Sequence, residues 1–403
     1  MVNPALNERE PRLDRLQLVA LAVLMVLGTM FVYSATTANA SISALPWYDQ
    51  MWTKQIVWYA LGIGVGVAVC LVDYHTLARW SFVAYWATII SLFAVLIPHI
   101  GSTHGWGARR WIDLGPFQFQ PSEFAKLAFI LAAANFLSRP VDELHQRGIF
   151  WKGIGLMLLP FLLIIKEPDL GSALVLLPTG LVMMYVAGTP AKYLLRLAAV
   201  VGVAGSLLLA NILFAPPGWR IKMQDYQRQR LLVYFGANFA SPNASPKEKA
   251  EARRLQLEKS YQVRQALISV GSGGLTGKGW CEGDQTALGF LPPGAAHNDF
   301  IFSVIAEEEG FVGSLVVLTL YGVVLFTGMR IAGQARDRLG KLVAVGVVTL
   351  LFSHVFINIG MNIRIVPVTG IPLPLLSYGG SSVLCSLIAL GLMQNVHIHR
   401  RGY

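Results

Sequence analysis

The stretch that decides the fold is residues 271–310, which read GSGGLTGKGWCEGDQTALGFLPPGAAHNDFIFSVIAEEEG. It begins as a glycine-rich segment compatible with water and ends inside an apolar helix, so a membrane span starts within it. Asp299 stands at this junction, and a carboxylate lying deep in a span costs about 2.5–3.5 kcal/mol. Two interpretations follow. Asp299 is a functional group, or it satisfies free backbone N–H groups at a helix N-terminus.

The composition around this stretch is that of a membrane protein. Of 403 residues, 54% are hydrophobic and only 13% are charged, whereas soluble domains carry about a quarter charged residues. The apolar residues come in long runs, which predicts an all-α polytopic membrane protein. The net charge of +10 fits orientation signals and anionic headgroups rather than nucleic acid. The three cysteines form no metal-binding spacing, and no His/Cys cluster indicates zinc.

About ten spans are long enough, or nearly so, to cross a bilayer. They are predicted at residues 16–33, 56–72, 80–98, 122–137, 154–166, 170–187, 193–214, 300–328, 342–362 and 382–396. The fifth is short for a crossing and contains Pro160. We expect one transmembrane domain over residues 1–403, with residues 215–298 forming a large loop between spans seven and eight.

Lysine and arginine in the short connections predict the orientation. They concentrate in every second connection, beginning with Arg9, Arg12 and Arg15 and ending with Arg400 and Arg401. The positive-inside rule therefore places both termini in the cytoplasm and the 215–298 loop outside. Residues 246–270 of that loop are predicted to form a helix that lies on the membrane, binds a partner or is solvated.

Charged side chains gather at the predicted outer level. Arg109 and Arg110 stand outside against the charge rule, either snorkelling at the interface or binding an anionic group such as phosphate. Glu123 and Lys126, three residues apart, share one face of the fourth span. The topology brings this pair to the level of Asp299. Mutual pairing that only stabilises the structure is the alternative to a functional role.

Further acids lie in and beside the spans. Glu167 and Asp169 occupy the outer turn between spans five and six. Glu307, Glu308 and Glu309 are predicted to lie roughly 12–15 Å further along the eighth span than Asp299, at 1.5 Å per residue. Because three consecutive acids cannot all face lipid, at least one is expected to point into the bundle, at a cation or a water-filled cavity. A structural and a catalytic role both stay open.

The last outer connection, residues 362–382, is too rich in proline to be helical. Irregular backbone at membrane level survives only where it lines a cavity or packs within protein. The outer face is therefore predicted to hold a cavity rimmed by cations and carboxylates, which suits a lipid-phosphate substrate. Such a site can transfer a group from a lipid diphosphate, with a carboxylate accepting a hydroxyl proton. Ion or lipid transport stays open at this point.

Seven motifs together resemble the SEDS family of cell-wall polymerases. They are SGGLTGKGW from Ser272, HNDFIF from His297, AEEEG from Ala306, RWIDLG from Arg110, QPSEFAK from Gln120, EPDLG from Glu167 and PVTGIPLPLLSYGGSS from Pro367. The agreement with the family runs from about Gln17 to Asn395. Within the family, the sequence resembles RodA, the elongation member, more than FtsW, the division member. His297-Asn298 stands where the family commonly has His-Thr, and Asp299 stays in place.

The resemblance implies a peptidoglycan glycosyltransferase that polymerises lipid II on the outer leaflet of the cytoplasmic membrane and releases undecaprenyl pyrophosphate. The family's catalytic aspartate corresponds to Asp299, as the general base, and its functional Glu and Lys correspond to Glu123 and Lys126. We assign Lys126 to keeping Asp299 ionised, since a nearby cation favours the charged form. Arg109 and Arg110 are candidates for binding the pyrophosphate.

Within the motifs that carry the resemblance, further site residues are predicted. The substrate-binding residues are Lys278, Ser377, Tyr378 and Gly379, and the supporting residues are Glu167, Asp169, Glu308 and His297. No metal site is predicted, although the sequence leaves open whether a divalent cation assists the pyrophosphate. The implied partner is a class B penicillin-binding protein, a transpeptidase. The alternatives are a division polymerase, a carrier that flips the lipid-linked precursor, and a scaffold that only recruits the transpeptidase.

Overall fold

The computed structural model describes residues 13–37, 45–102, 109–113, 115, 118–215, 219, 225–237, 239, 245–291 and 293–400. The helices up to residue 214 are α1 (Arg15–Thr37), α2 (Met51–Leu71), α3 (Tyr74–Arg79), α4 (Ser81–Leu96), α5 (Pro121–Leu137), α6 (Val141–Leu144), α7 (Arg147–Lys166), α8 (Leu170–Ala187) and α9 (Ala191–Phe214). The later helices are α10 (Asp225–Phe235), α11 (Pro246–Ser272), α12 (Asp284–Ala287), α13 (Pro293–Ala296), α14 (Ile301–Gln334), α15 (Arg338–Asn362) and α16 (Gly380–His399). Arg9, Arg12, Arg401 and parts of the predicted 215–298 loop lie outside the described residues.

Three very short strands are the other regular elements of the described ranges. They are β1 (Gly101–Ser102), β2 (Trp111–Asp113) and β3 (Gln118–Phe119), joined in an antiparallel sheet of that order. Ile112 pairs with Gly101 on one side and with Phe119 on the other. This sheet fixes the chain just after Arg110 and just before α5, both of which belong to the site described below.

Within the described residues, eight helices are long and apolar enough to cross a membrane: α1, α2, α7, α8, α9, α14, α15 and α16. Two further helices, α4 and α5, have 16 and 17 residues. The prediction of an all-α polytopic membrane protein is confirmed. The count of ten spans and the outer placement of the 215–298 loop stay predictions.

The core lies around α15 and α16. In an 18-residue apolar stretch of each helix, 78% and 83% of the residues are buried, respectively. A helix that is apolar on all sides is buried either in protein or in lipid, and α15 is buried in protein, since it packs against α5, α8, α14 and α16. Gly346 of α15 allows this closeness, because a Cβ there would lie 2.7 Å from Ile130 of α5. In contrast, α9 buries only Ile212. The side chains on α15 are therefore held in the most rigid part of the bundle.

The helix α14 is interrupted at Gly310, where φ is 65° and ψ is −159°. The glycine-rich segment before α12 supplies hydrogen bonds at the interruption. Phe311 N donates to the Gly274 carbonyl at 2.9 Å, and Gly279 N donates to the Glu308 carbonyl at 2.9 Å. The prediction of one uninterrupted helix over residues 300–328 is therefore wrong. The interruption falls at a glycine because other residues do not adopt this backbone conformation readily.

Two other predictions can be compared with the helices directly. The fifth span, predicted as a short one at residues 154–166, is the 20-residue helix Arg147–Lys166. That prediction is wrong because Arg147 and Lys152 are compatible with a helix end, where long basic side chains extend towards water, and because Pro160 is accommodated inside the helix. The predicted helix at residues 246–270 is confirmed as α11, whose first turn is closed by a capping box between Ser245 and Glu248.

We predict that Gly310→Ala lowers the melting temperature of the purified protein by about 3 °C or more. A residue other than glycine in this backbone conformation costs on the order of 1–3 kcal/mol, and its Cβ would lie 2.3 Å from Gly277 N. Intrinsic fluorescence during heating measures the effect. The matched control is Gly322→Ala in the same helix, where a Cβ meets nothing within 4 Å. Equal melting of the two variants would contradict the prediction.

Candidate active site

The main chain at Asp299 is held by two amide side chains of α15. Asn358 Nδ2 and Asn362 Nδ2 donate to the Asp299 carbonyl at 3.0 and 3.1 Å. Asn358 Nδ2 also donates to the Ile371 carbonyl at 2.7 Å. Residues 358 and 362 lie on one helix face because they are four apart. One buried helix face therefore joins the segment that carries Asp299 to the irregular segment 363–379.

The predicted substrate-binding residues Ser377 and Tyr378 hold the same segment from the other side. Ser377 Oγ donates to the Asn298 carbonyl at 2.6 Å, and Tyr378 N donates to the His297 carbonyl at 2.9 Å. Gly379 is the N-cap residue of α16. These contacts show that Ser377 and Tyr378, within the motif PLLSYGG, hold the backbone of the two residues that precede Asp299. A direct contact of Ser377, Tyr378 or Gly379 with substrate stays a prediction.

The side chain of Asp299 does not cap a helix. The N-cap residue of α14 is Phe300, and no side chain caps this helix, so the helix-capping interpretation is wrong. Asp299 is partly exposed, but protein surrounds it closely. Burial raises the pKa of its carboxyl to about 6, the guanidinium groups of Arg230 and Arg110 lower this pKa, and the carboxylate of Asp169 raises it.

Arg230 belongs to the site and was missed by the sequence analysis. It lies on α10, within the predicted 215–298 loop, and its Nη1 donates to the Val368 carbonyl at 3.2 Å. Arg110, which the sequence analysis did propose, donates from Nη2 to the Pro168 carbonyl. Two cations thus act on one carboxyl group from separate loops. Arg109 is exposed.

Glu167 and Asp169 lie beside Arg110 in opposite protonation states. Burial raises the pKa of Glu167 to about 9, and the nearby Asp169 charge adds to this effect. Burial alone would also raise the pKa of Asp169, but Arg110 and hydrogen bonds from Ser172 hold it below its usual value. Asp169 Oδ1 accepts from Ser172 N at 3.1 Å and caps α8. At neutral pH, Asp169 is therefore charged and Glu167 is protonated.

Glu123 and Lys126 form a buried ion pair on α5. Lys126 Nζ lies 2.6 Å from Glu123 Oε1 and 2.9 Å from His354 Nε2 of α15, and both charged residues are at most 4% exposed. The charges that act on Asp299 come instead from Arg230, Arg110 and Asp169. The structure thus corrects our assignment of Lys126 as the cation that keeps Asp299 ionised, because its ammonium group is already shared between Glu123 and His354.

A second ionic cluster lies at the interruption of α14. Lys278 Nζ contacts Glu307 Oε1 at 2.7 Å and Asp284 Oδ2 at 3.0 Å. Glu308 Oε1 accepts a hydrogen bond from Ser34 in the last turn of α1, and both Glu307 and Glu308 are buried. The prediction that at least one of these acids points into the bundle is confirmed. Substrate binding by Lys278 stays a prediction, since two carboxylates already neutralise it.

The sequence contained a signal for part of this site. His354, Asn358 and Asn362 recur every four residues within the predicted ninth span, which places three polar side chains on one face of an apolar helix. Arg230 had no such signal, because it is one of many basic residues in a long loop. Among the described residues, no group of three or more His, Cys, Asp or Glu side chains is arranged to hold a metal ion.

Comparisons with known proteins cover nearly the whole chain. A family model described as "Cell cycle protein", for FtsW, RodA and SpoVE, matches residues 14–402. The peptidoglycan glycosyltransferase MrdB of Escherichia coli K12 is 36% identical over 391 residues, covering 96% of this chain and 94% of MrdB.

Two solved structures share the fold. A chain of a peptidoglycan synthase complex, described by its structural coordination of polymerization and crosslinking, matches with a TM-score of 0.74 and 28% identity, covering 97% of this chain and 99% of that chain. The rod shape determining protein RodA of Thermus thermophilus matches with a TM-score of 0.63 and 27% identity, covering 96% and 98%.

We predict that Lys126→Met destabilises the protein more than Lys126→Met/Glu123→Gln. Removing one partner of a buried ion pair leaves an uncompensated charge, which costs about 3–5 kcal/mol, whereas a neutral partner avoids this cost. Melting temperatures of the purified variants in one detergent measure the difference. If the double variant melts no higher than the single one, the pair does not stabilise the fold in this way.

Proposed function

We propose that this chain, which belongs to the FtsW, RodA and SpoVE family of SEDS proteins, is a peptidoglycan glycosyltransferase that polymerises lipid II into glycan strands. One observation supports the proposal above all. A single carboxyl group, Asp299, lies on a segment held by two hydrogen bonds to its carbonyl, and two guanidinium groups lower its pKa. The resulting pKa of about 6 suits a base that works near neutral pH.

Asp299 acts as the general base in this proposal. Its carboxylate accepts the proton of the acceptor sugar's 4-hydroxyl as that oxygen attacks the anomeric carbon of the growing chain. The bond from this carbon to the diphosphate oxygen breaks with inversion, and its electron pair leaves with undecaprenyl diphosphate. A positioned base contributes about 10²–10⁴-fold to such a rate. The fixed carbonyl of Asp299 supplies the required positioning.

Arg110 stabilises the departing diphosphate in this proposal. A guanidinium group offers several N–H donors in one plane and stays charged at all relevant pH values. The protonated state of Glu167 supports this role, because a neutral Glu167 leaves Arg110 with one fewer negative neighbour.

The biological setting follows from the relatives. MrdB is named a peptidoglycan glycosyltransferase, and the Thermus relative is a rod shape determining protein. We therefore assign this chain to wall elongation and rod shape, with a division role as the alternative. We place it in the cytoplasmic membrane with both termini inside and Asp299 at the outer face. The match to a complex that coordinates polymerization with crosslinking supports a class B penicillin-binding protein as its partner.

Polymerisation by purified protein tests the proposal. The full-length chain, a class B penicillin-binding protein from the same cell and lipid II are combined in detergent, and the products are separated by gel. We expect strands with the unchanged protein and a loss of about 100-fold or more with Asp299→Asn, which keeps the shape but cannot accept the proton. The matched control is Glu251→Gln, an exposed acid on α11, which should polymerise normally.

Two outcomes would contradict the proposal. Strands formed at an undiminished rate by Asp299→Asn would remove Asp299 as the base. Transfer of intact lipid II across a bilayer without strand formation, in vesicles that hold both proteins, would indicate a carrier instead.

We predict that the polymerisation rate falls as the pH drops below about 6. The pKa of Asp299 is raised, so the basic carboxylate form dominates only above this value. On the acidic side of the pH profile, Asp169→Asn should move the fall in rate to lower pH. This substitution removes a like charge that raises the pKa of Asp299. Rates measured from pH 4.5 to 8 give both midpoints. An acidic limb that does not move in this variant would separate Asp169 from the titrating group.

A further inference from the structure

The loop helix α10 docks on the segment that faces Asp299. Tyr234 Oη donates to the Ile365 carbonyl at 2.6 Å, and Arg364 Nη2 donates back to the Val233 carbonyl at 3.3 Å. Arg230 Nη1 donates to the Val368 carbonyl at 3.2 Å. Three hydrogen bonds between side chains and main chain therefore fix a helix of the predicted outer loop against residues 364–368.

The same segment meets Asp299 two residues further along. A Cβ at Gly370 would lie 3.4 Å from Asp299 Oδ2, so the carboxylate lies directly against this glycine. Asn358 then ties the Ile371 carbonyl to the Asp299 carbonyl. Arg230 is thus attached to a short length of backbone whose other end contacts the reacting carboxylate. This placement agrees with the effect of Arg230 on the pKa of Asp299, which is larger than that of Arg110.

The charges at the site indicate what Arg230 binds. Arg110 lies beside the charged Asp169, so one positive charge is largely offset before substrate arrives. The leaving diphosphate carries negative charge on both phosphates and gains more as the anomeric bond breaks. The hydrogen bond from Nη1 to the Val368 carbonyl places the Arg230 guanidinium group next to the segment that meets Asp299. A planar cation of this kind suits an anion with several oxygens.

We propose that Arg230 binds the diphosphate of the lipid-linked substrate, and that docking of α10 serves to carry this guanidinium group to Asp299. The inference rests on the proposed function and deepens it. It names a substrate contact in the loop, and it gives Tyr234 the role of a positioning residue, since Tyr234 holds the helix but carries no charge.

Binding of undecaprenyl diphosphate to the full-length protein in nanodiscs tests the inference apart from catalysis. We expect Arg230→Gln to weaken this binding by about tenfold or more, since a charge-assisted bidentate contact is lost. Binding of undecaprenol, the same lipid without phosphate, should not change. Arg230→Lys should fall between, because it keeps the charge but not the planar fork. Tyr234→Phe should weaken diphosphate binding by a few fold, as expected for one neutral hydrogen bond.

The matched control is Arg264→Gln, an exposed arginine on α11, which should bind like the unchanged protein. Melting temperatures identify variants that fail to fold, in which case Arg230→Lys decides. Unchanged diphosphate affinity in a folded Arg230 variant overturns the inference. A second result also overturns it. If diphosphate affinity is unchanged in the Arg230 variant but its polymerisation rate begins to fall at a higher pH, Arg230 acts only on the pKa of Asp299.

The two proposals fail separately. If the unchanged protein binds undecaprenyl diphosphate through Arg230 but forms no strands with lipid II and its transpeptidase, the polymerase proposal fails and this contact stands. If strands form and Arg230→Gln alters neither diphosphate affinity nor the KM for lipid II, this contact fails and the polymerase proposal stands.

Discussion

The site depends on the two hydrogen bonds that Asn358 and Asn362 donate to the Asp299 carbonyl. A carboxylate held only by its own side-chain contacts would reorient as substrate arrives. Here the backbone is fixed instead, by a buried helix on one side and by Ser377 on the other. The carboxylate oxygens therefore stay available for a proton or a substrate hydroxyl. The rigid part of the bundle supplies this hold, since α15 is among its most buried helices.

The charges around Asp299 show how one fold keeps several buried acids in different states. Burial raises the pKa of every carboxyl group it covers, and a neighbouring cation lowers it again. Asp169 has Arg110 and two kinds of hydrogen bond from Ser172, and its pKa falls below the usual value. Glu167 has the same cation, but neither of its oxygens accepts a hydrogen bond from a described residue, and its pKa rises to about 9. Asp299 lies between these extremes. Of these three carboxyl groups, Asp299 is therefore the one suited to exchange protons near neutral pH.

The sequence predicted the helices well and the site only in part. Apolar runs locate α15 within a few residues, because the length of a bilayer crossing constrains both ends. They missed the start of α7, since Arg147 and Lys152 look like a connection although they lie in the helix. Asp299 and Arg110 were recognisable from their motifs. Glu123, three residues away, was predicted as a partner of Lys126, but its second partner, His354, lies 228 residues away. The contact of Arg230 with Val368 spans 138 residues. Pairings at such separations depend on tertiary packing, which one sequence does not encode as a local pattern.

The interruption of α14 explains why the segment before α12 is rich in glycine. A helix broken at Gly310 leaves N–H and carbonyl groups without helical partners inside an apolar span, where each unsatisfied group costs on the order of several kcal/mol. The glycine-rich segment provides partners for both kinds of group. The Gly274 carbonyl accepts a hydrogen bond from Phe311 N, and N–H groups of the segment donate to the carbonyls of the turn before Gly310. Gly277 has to be a glycine for this approach, since a Cβ would lie 2.1 Å from the Glu308 carbonyl. Glu307 then accepts from Gln285 N at 3.0 Å, so the chain that leads to Asp299 is tied to α14 before it reaches the site. The buried acids at this end of the helix thus anchor the chain that carries the carboxylate, which is why they are kept inside the protein despite the cost of burying charge.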